Sequence, residues 1–329
     1  MSASKLIVVV GATGNQGGSV ASVFLKESGW KVRALTRDAS SNKSQALKAQ
    51  GAEVVEANID TPSTLSAAFE GANAIFAVSD YWGLYGNPAN HGKAKPGQSQ
   101  LAWAGEYEEQ QLKNVIDAAA KVSTLERFVF SSLSNATKWS KGTYTHVYHF
   151  DHKAKAEEYG KRTYPELWAK TSIFQAGFFL SNFGFGGLSP PIKGVVQFIG
   201  HMNPEVKFPY IAAEEDTGPL VKALVQESAG KNLIAYREWL TPREIASNFT
   251  KATGVKAEAV ALPRGVFPPE MPADLKVVFE ENMGYWNEFG YEGKDDPTVI
   301  HPRDLKSPPS LGTVENYFKA FDWSKVLGS

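Results

Sequence analysis

Residues 148–153, Tyr148-His149-Phe150-Asp151-His152-Lys153, concentrate side chains that move protons. His149 and Lys153 are four residues apart, so on a helix they share one face. An ammonium in that position lowers the pKa of a neighbouring acid and offers donors to ligand hydroxyls. An imidazole titrates near neutral pH, which makes His149 a candidate proton donor to a carbonyl, with Lys153 beside it. The alternative is that His149 packs the helix start and the site has lost its acid. Ser131 and Ser132 end a short apolar run and are the candidate hydroxyls for the same site. Tyr148 falls on a different helical face, whereas Tyr144 could reach in from the preceding loop. His146, His149 and His152, with Asp151, are ligand types, but steps of three drift around a helix and do not converge three ligands. No metal site is expected.

Such groups need elements that hold them against a reactant, and residues 5–37 supply the first of these. Leu6-Ile7-Val8-Val9-Val10 is a β-branched apolar run of the kind found in buried parallel strands. Gly11, Gly14 and Gly17 follow, then a helical pattern carrying Val20, Val23, Phe24 and Leu25, then a second strand over residues 31–35. Strand, glycine turn, helix and strand in about thirty residues is a dinucleotide-binding unit. Gly11 permits the tight turn, Gly14 the approach of a pyrophosphate, and Gly17 close packing of helix on sheet. The first-turn N–H groups around Ala12, Thr13, Asn15 and Gln16 face the phosphates. No acidic residue lies between Lys31 and Arg37. Arg37 can instead clamp a ribose 2′-phosphate, so NADP(H) is the expected cofactor. The plainer alternative is that Arg37 is a solvated loop charge.

The alternation continues. A short helix at 44–50 precedes a strand at 52–57, after which Asn58 and Asp60 stand at the strand's C-terminal edge, where Asp60 suits an adenine amine. Thr61 and Pro62 signal a helix start, with Thr61 as cap. The strand at 74–78 delivers Ser79, Asp80 and Tyr81 to the cofactor edge. Residues 82–102 lack periodicity and read as a long loop. A helix at 106–122, a strand at 127–130, a helix at 148–162 and a strand at 171–175 complete the pattern. The turn Ala176-Gly177-Phe178-Phe179 then closes over the nicotinamide. The expected fold is α/β, a Rossmann-like doubly wound parallel sheet over residues 1–178. Residues 179–329 form a smaller α+β substrate-covering region, not independently folded. Phe178, Phe179, Phe183 and Phe185 suit an apolar substrate pocket or an ordinary core equally well.

The 329 residues are 43% hydrophobic, with a net charge of −1 and no cysteine. Those values exclude a disulfide framework and thiol chemistry, and they leave no basic footprint for direct nucleic-acid binding. The apolar N-terminal strand leaves no room for a signal peptide, and no apolar run suffices to span a membrane. A cytosolic or nuclear protein is expected.

GATGNQGGSV, the Thr36-Arg37 ending of strand two, FAVSDYW after strand four and HFDHKAKAEEY together resemble the NmrA-like family, a group of atypical short-chain dehydrogenases. The resemblance covers most of the chain and is tightest before about residue 180. It implies NADP(H) held at Gly11 to Gln16 and Arg37, with further contacts from Ser79 to Tyr81, Lys153 and the 176–179 turn. Short-chain dehydrogenases generally pair a tyrosine with a lysine four residues later, but here His149 stands in the tyrosine's place. Two functions follow from the resemblance. One is an oxidoreductase acting on an apolar carbonyl, enone or quinone. The other is an NADP(H) sensor that controls a regulatory protein partner.

Overall fold

In the computed structural model, which describes residues 4–184 and 188–327, the first apolar run becomes an interior strand of an eight-stranded sheet. Its strands, numbered with all others along the chain, are β1 (Lys5–Val9), β2 (Trp30–Thr36), β3 (Glu53–Glu56), β4 (Ala74–Ala77), β5 (Arg127–Ser132) and β6 (Thr171–Ala176). The covering region adds β7 (Phe178–Phe179), β8 (Val195–Gly200), β9 (Phe208–Ile211), β10 (Asn232–Ala235), β11 (Glu238–Leu240), β12 (Lys256–Ala261) and β13 (Val299–Ile300). The large sheet runs β13-β10-β6-β5-β4-β1-β2-β3, and every pairing in it is parallel. The chain leaves β1 toward β2 and β3, then returns to pair β4 on β1's other side. That reversal sets the ligand crevice at the C-terminal ends of β1 and β4. Helices cover both faces, as a fully buried parallel sheet requires. The fold is the expected Rossmann-like α/β architecture.

A boundary at residue 178 does not separate two bodies. Strands β10 and β13, both beyond it, extend the large sheet from β6. Helix Ala213–Gln226 packs on helix Asn15–Leu25, with Gly218 N–H donating to Ser19 Oγ at 2.9 Å. A Cβ at Gly218 would lie 2.3 Å from Ser19 O, so only glycine allows this crossing. The remaining strands form two small sheets, β11-β9-β7 and β12-β8, over an aromatic core that includes Phe183, Phe198, Phe249 and Phe318. Phe183 thus serves that core and also lines the cavity described below, while Phe185 lies outside the described residues.

Local corrections have physical causes. Residues 82–102 are not a structureless loop. Asp80 accepts from Gly83 N–H at 2.9 Å and caps a short helix, Tyr81–Gly86, whose Tyr81 buries against Leu101 and Trp103. Ser99 caps the next helix, Gln100–Ala119, which therefore begins six residues before the expected start. Thr61 makes no side-chain cap. Its carbonyl instead accepts from Thr64 Oγ1 at 2.7 Å, while Pro62 occupies the first turn as expected. Among the described residues no helix is long and apolar enough to cross a membrane.

Candidate active site

The glycine turn is built by contacts that exclude side chains. Gly11 has φ of +66°, and a Cβ on Gly17 would lie 2.3 Å from Gly11 O and 2.6 Å from Gly11 C. Gly17 therefore seats the helix directly on the turn's backbone. Gly14 is the N-cap of helix Asn15–Leu25 and supplies no side-chain cap, so the first-turn N–H groups are left for another acceptor. Ala12, Thr13, Gly14 and Asn15 line a cleft of about 270 Å³ together with Lys43, whose ammonium donates to Thr13 O at 3.3 Å. Arg37 is exposed immediately after β2. Asn58 and Asp60 stand after β3, where Asp60 Oδ1 accepts from Gln111 Nε2 at 2.7 Å.

Beside this turn opens a cavity of about 850 Å³. Gln16, Ser79, Asp80, Tyr81, Ser131, His149, Lys153 and the 176–179 turn all line it, so residues scattered over 160 positions meet around one cavity. Ser131 Oγ donates to Gln16 Oε1 at 2.9 Å, tying the end of β5 to the glycine turn. Gly177 N–H donates to Ala235 O at 2.9 Å, and Phe178 pairs with Tyr210 in β9. The turn is therefore held by the sheet on one side and by the covering region on the other. Helix Ala273–Phe289 also lines the cavity, contributing Phe279, Asn282, Met283 and Trp286. Trp82 stacks on Phe279 with centroids 6.0 Å apart. The lining is predominantly apolar and aromatic.

Lys153 projects into this cavity from helix Tyr148–Thr163. Its ammonium donates to Ser79 Oγ at 3.2 Å and forms a short ion pair with Glu108. His149 sits one turn earlier, packed against the touching rings of Tyr81 and Trp82, with its Nδ1 buried and unpartnered among the described residues. Burial, reinforced by the Lys153 charge, lowers its pKa to about 3. That corrects the expectation of an imidazolium donor: at neutral pH His149 is uncharged. Tyr144 does not reach the cavity either. Its hydroxyl accepts from Arg264 Nη2 at 2.6 Å, and its ring lies against Gly284 and Phe289. His146 and His152 are directed elsewhere, to Glu281 at 2.7 Å and Glu109 at 2.8 Å. The phenols of Tyr81 and Tyr291 are already spent on Leu101 O and Ala176 O, each at 2.9 Å.

Motif reading missed Glu108, Lys43 and the Ala273–Phe289 wall. Glu108 left one trace in the sequence: it is a carboxylate on the stripe formed by Leu101, Ala104, Leu112 and Val115. The other two carry no local signature.

This geometry is that of a nucleotide-binding Rossmann protein whose covering region closes a second, apolar chamber. A model of the NmrA-like family matches residues 3–318, and the chain belongs to that family. It is 30% identical over 269 residues to the NmrA-like family domain-containing oxidoreductase hkm9 of Aspergillus hancockii, covering 77% of this chain and 74% of that protein. NmrA, a negative transcriptional regulator solved in complex with NADP, superposes with a TM-score of 0.69 at 19% identity, covering 96% of this chain and 95% of that one. An NADPH-dependent quinone oxidoreductase of Escherichia coli gives 0.64 at 20% identity, covering 95% and 98%. At these identities the two structures speak for the fold.

Proposed function

We propose that this protein is an NADP(H)-dependent oxidoreductase that reduces an apolar carbonyl, enone or quinone. The observation that carries the reading is that Gln16, Ser131, His149, Lys153 and the 176–179 turn all line one predominantly apolar chamber of about 850 Å³. The residues present fit the cofactor. The uncapped helix start behind Gly14 suits the pyrophosphate, and exposed Arg37, with Lys43 nearby, suits a 2′-phosphate. When bound, the nicotinamide supplies a hydride. Lys153 donates hydrogen bonds to the ribose hydroxyls and passes a proton to the developing oxyanion, the ammonium being restored from solvent. Ser131, released from Gln16, donates a hydrogen bond to the substrate oxygen. His149, uncharged, offers a polar edge within an aromatic wall and excludes water. The oxidoreductase name of the Aspergillus hancockii relative supports the same reading.

One observation favours a second reading, a sensor of NADP(H) that acts on a protein partner: His149 occupies the position of the usual tyrosine acid. An NADPH-oxidation screen over quinones, enones and aryl ketones separates the two. Protein-dependent consumption with any class supports the enzyme, and tight NADPH binding without consumption supports the sensor.

A further inference from the structure

Lys153 is held by a residue outside every motif in the sequence. Glu108 lies midway along helix Gln100–Ala119 and has no exposed surface. Its Oε1 accepts from Lys153 Nζ and from Ser79 Oγ, the latter at 2.8 Å, while Oε2 is unpartnered among the described residues. The next residue, Glu109, pairs with His152 at 2.8 Å, so two successive carboxylates grip two successive residues of helix Tyr148–Thr163. Gly105 permits that approach, since a Cβ there would lie 2.4 Å from His152 Cδ2. Glu109 and its neighbour Lys113 remain partly exposed, as a surface pair does. Glu108 differs. Burying a carboxylate amid Leu101, Ala104, Leu112 and Val115 carries a large desolvation penalty that an apolar side chain would avoid.

We infer that Glu108 is the positioning residue of this site: from its buried place it holds the Lys153 ammonium at the edge of an apolar chamber and aims it beside Ser79 Oγ. The inference rests on the cofactor reading above only in assigning a ribose hydroxyl to that ammonium. The other titratable groups around Lys153 do not substitute for it. His149 on the same helix is uncharged, Tyr81 is a buried neutral phenol, and Asp80 is exposed and caps Gly83. Without its carboxylate, a buried ammonium releases its proton at lower pH. Ligand binding that needs the charge is then lost as pH rises, whereas a purely structural defect weakens binding equally at every pH.

The test is NADPH fluorescence titration from pH 6 to pH 9.5, with thermal melting, on the wild type, Glu108→Gln and the double variant Glu108→Gln/Lys153→Met. The wild-type affinity should vary little above pH 7. Glu108→Gln should approach it at pH 6 and fall about ten- to a hundredfold by pH 9, the worth of a charged hydrogen bond. The double variant should bind weakly with no such pH dependence and melt higher than Glu108→Gln, because no unpaired charge remains. A Glu108→Gln profile parallel to the wild type overturns the inference. Should Glu108→Gln fail to fold, recovery of folding in the double variant supports it, and failure of both refutes it. A wild type that does not bind NADPH defeats the cofactor reading instead. The melting order of single and double variants then still decides the role of Glu108.

Discussion

Gly17 and Gly14 lie three residues apart in one turn, yet the structure gives them separable tasks. In Gly17→Ala the new methyl starts 2.3 Å from Gly11 O, with Gly11 C and Ala12 Cα also within 3.0 Å, and all three are backbone atoms. No side chain can swing aside, so the helix must lift by roughly an ångström. Overpacking of that kind costs about 1–3 kcal/mol. Alanine's better helix propensity returns about 0.5–1 kcal/mol, leaving a net loss of about 1–2 kcal/mol. For a chain of this size the melting temperature should fall by about 1.5–3 °C. At Gly14 the nearest atom to an added Cβ is Gly11 O at 3.4 Å, an ordinary contact, and the backbone is extended. Gly14→Val should therefore melt like the wild type while failing to bind NADPH, because its side chain occupies the pyrophosphate approach. Scanning calorimetry and NADPH fluorescence on both variants give the comparison. An unchanged melting temperature in Gly17→Ala, or wild-type affinity in Gly14→Val, would refute the reasoning.

Other outcomes follow from the same geometry. Arg37→Ala should weaken NADP(H) by about 1.5–3 kcal/mol and leave NAD(H) nearly unchanged in titration calorimetry; equal losses for both would remove Arg37 from the 2′-phosphate site. Lys153→Met should lower both cofactor affinity and kcat, whereas His149→Phe should hold kcat within about tenfold, since general acid catalysis is worth about 10²–10⁴ and His149 does not supply it. Because the His149 pKa falls from 6.5 to about 3 on folding, the unfolded chain binds the extra proton. Its contribution to stability is therefore present above about pH 6.5 and is lost progressively as pH falls toward 3. His149→Phe should flatten that limb of the stability profile, and an unaltered limb would place the acid sensitivity elsewhere. Tyr144→Phe should leave NADPH turnover unchanged, since its hydroxyl meets Arg264 outside the cavity; a large fall in kcat would contradict that placement.

The glycine turn and the first six strands were legible because each is decided locally, by β-branched runs and by the spacing of Gly11, Gly14 and Gly17. The placement of Ser79, Ser131 and Lys153 at the cavity was legible for a related reason: strand ends and helix faces fix where a side chain emerges. Tyr144 misled because its loop position said nothing about Arg264, which lies 120 residues away. His149 was read with the pKa of a solvated imidazole, and only the aromatic enclosure by Tyr81 and Trp82 shows otherwise. Glu108 stayed hidden because a single carboxylate on an apolar stripe has meaning only once its partner helix is in place. The lining from Phe279 to Trp286 depends wholly on long-range packing.

The central claim is hydride transfer from NADPH to a substrate carbon in the apolar chamber. It is tested most directly by incubating the protein with NADPH carrying deuterium at the nicotinamide C4, together with enones and aryl ketones, and weighing the products. The account predicts a single deuterium on carbon in the reduced product, absent when Lys153→Met replaces the wild type. Saturating NADPH binding with no deuterium in any product would contradict it.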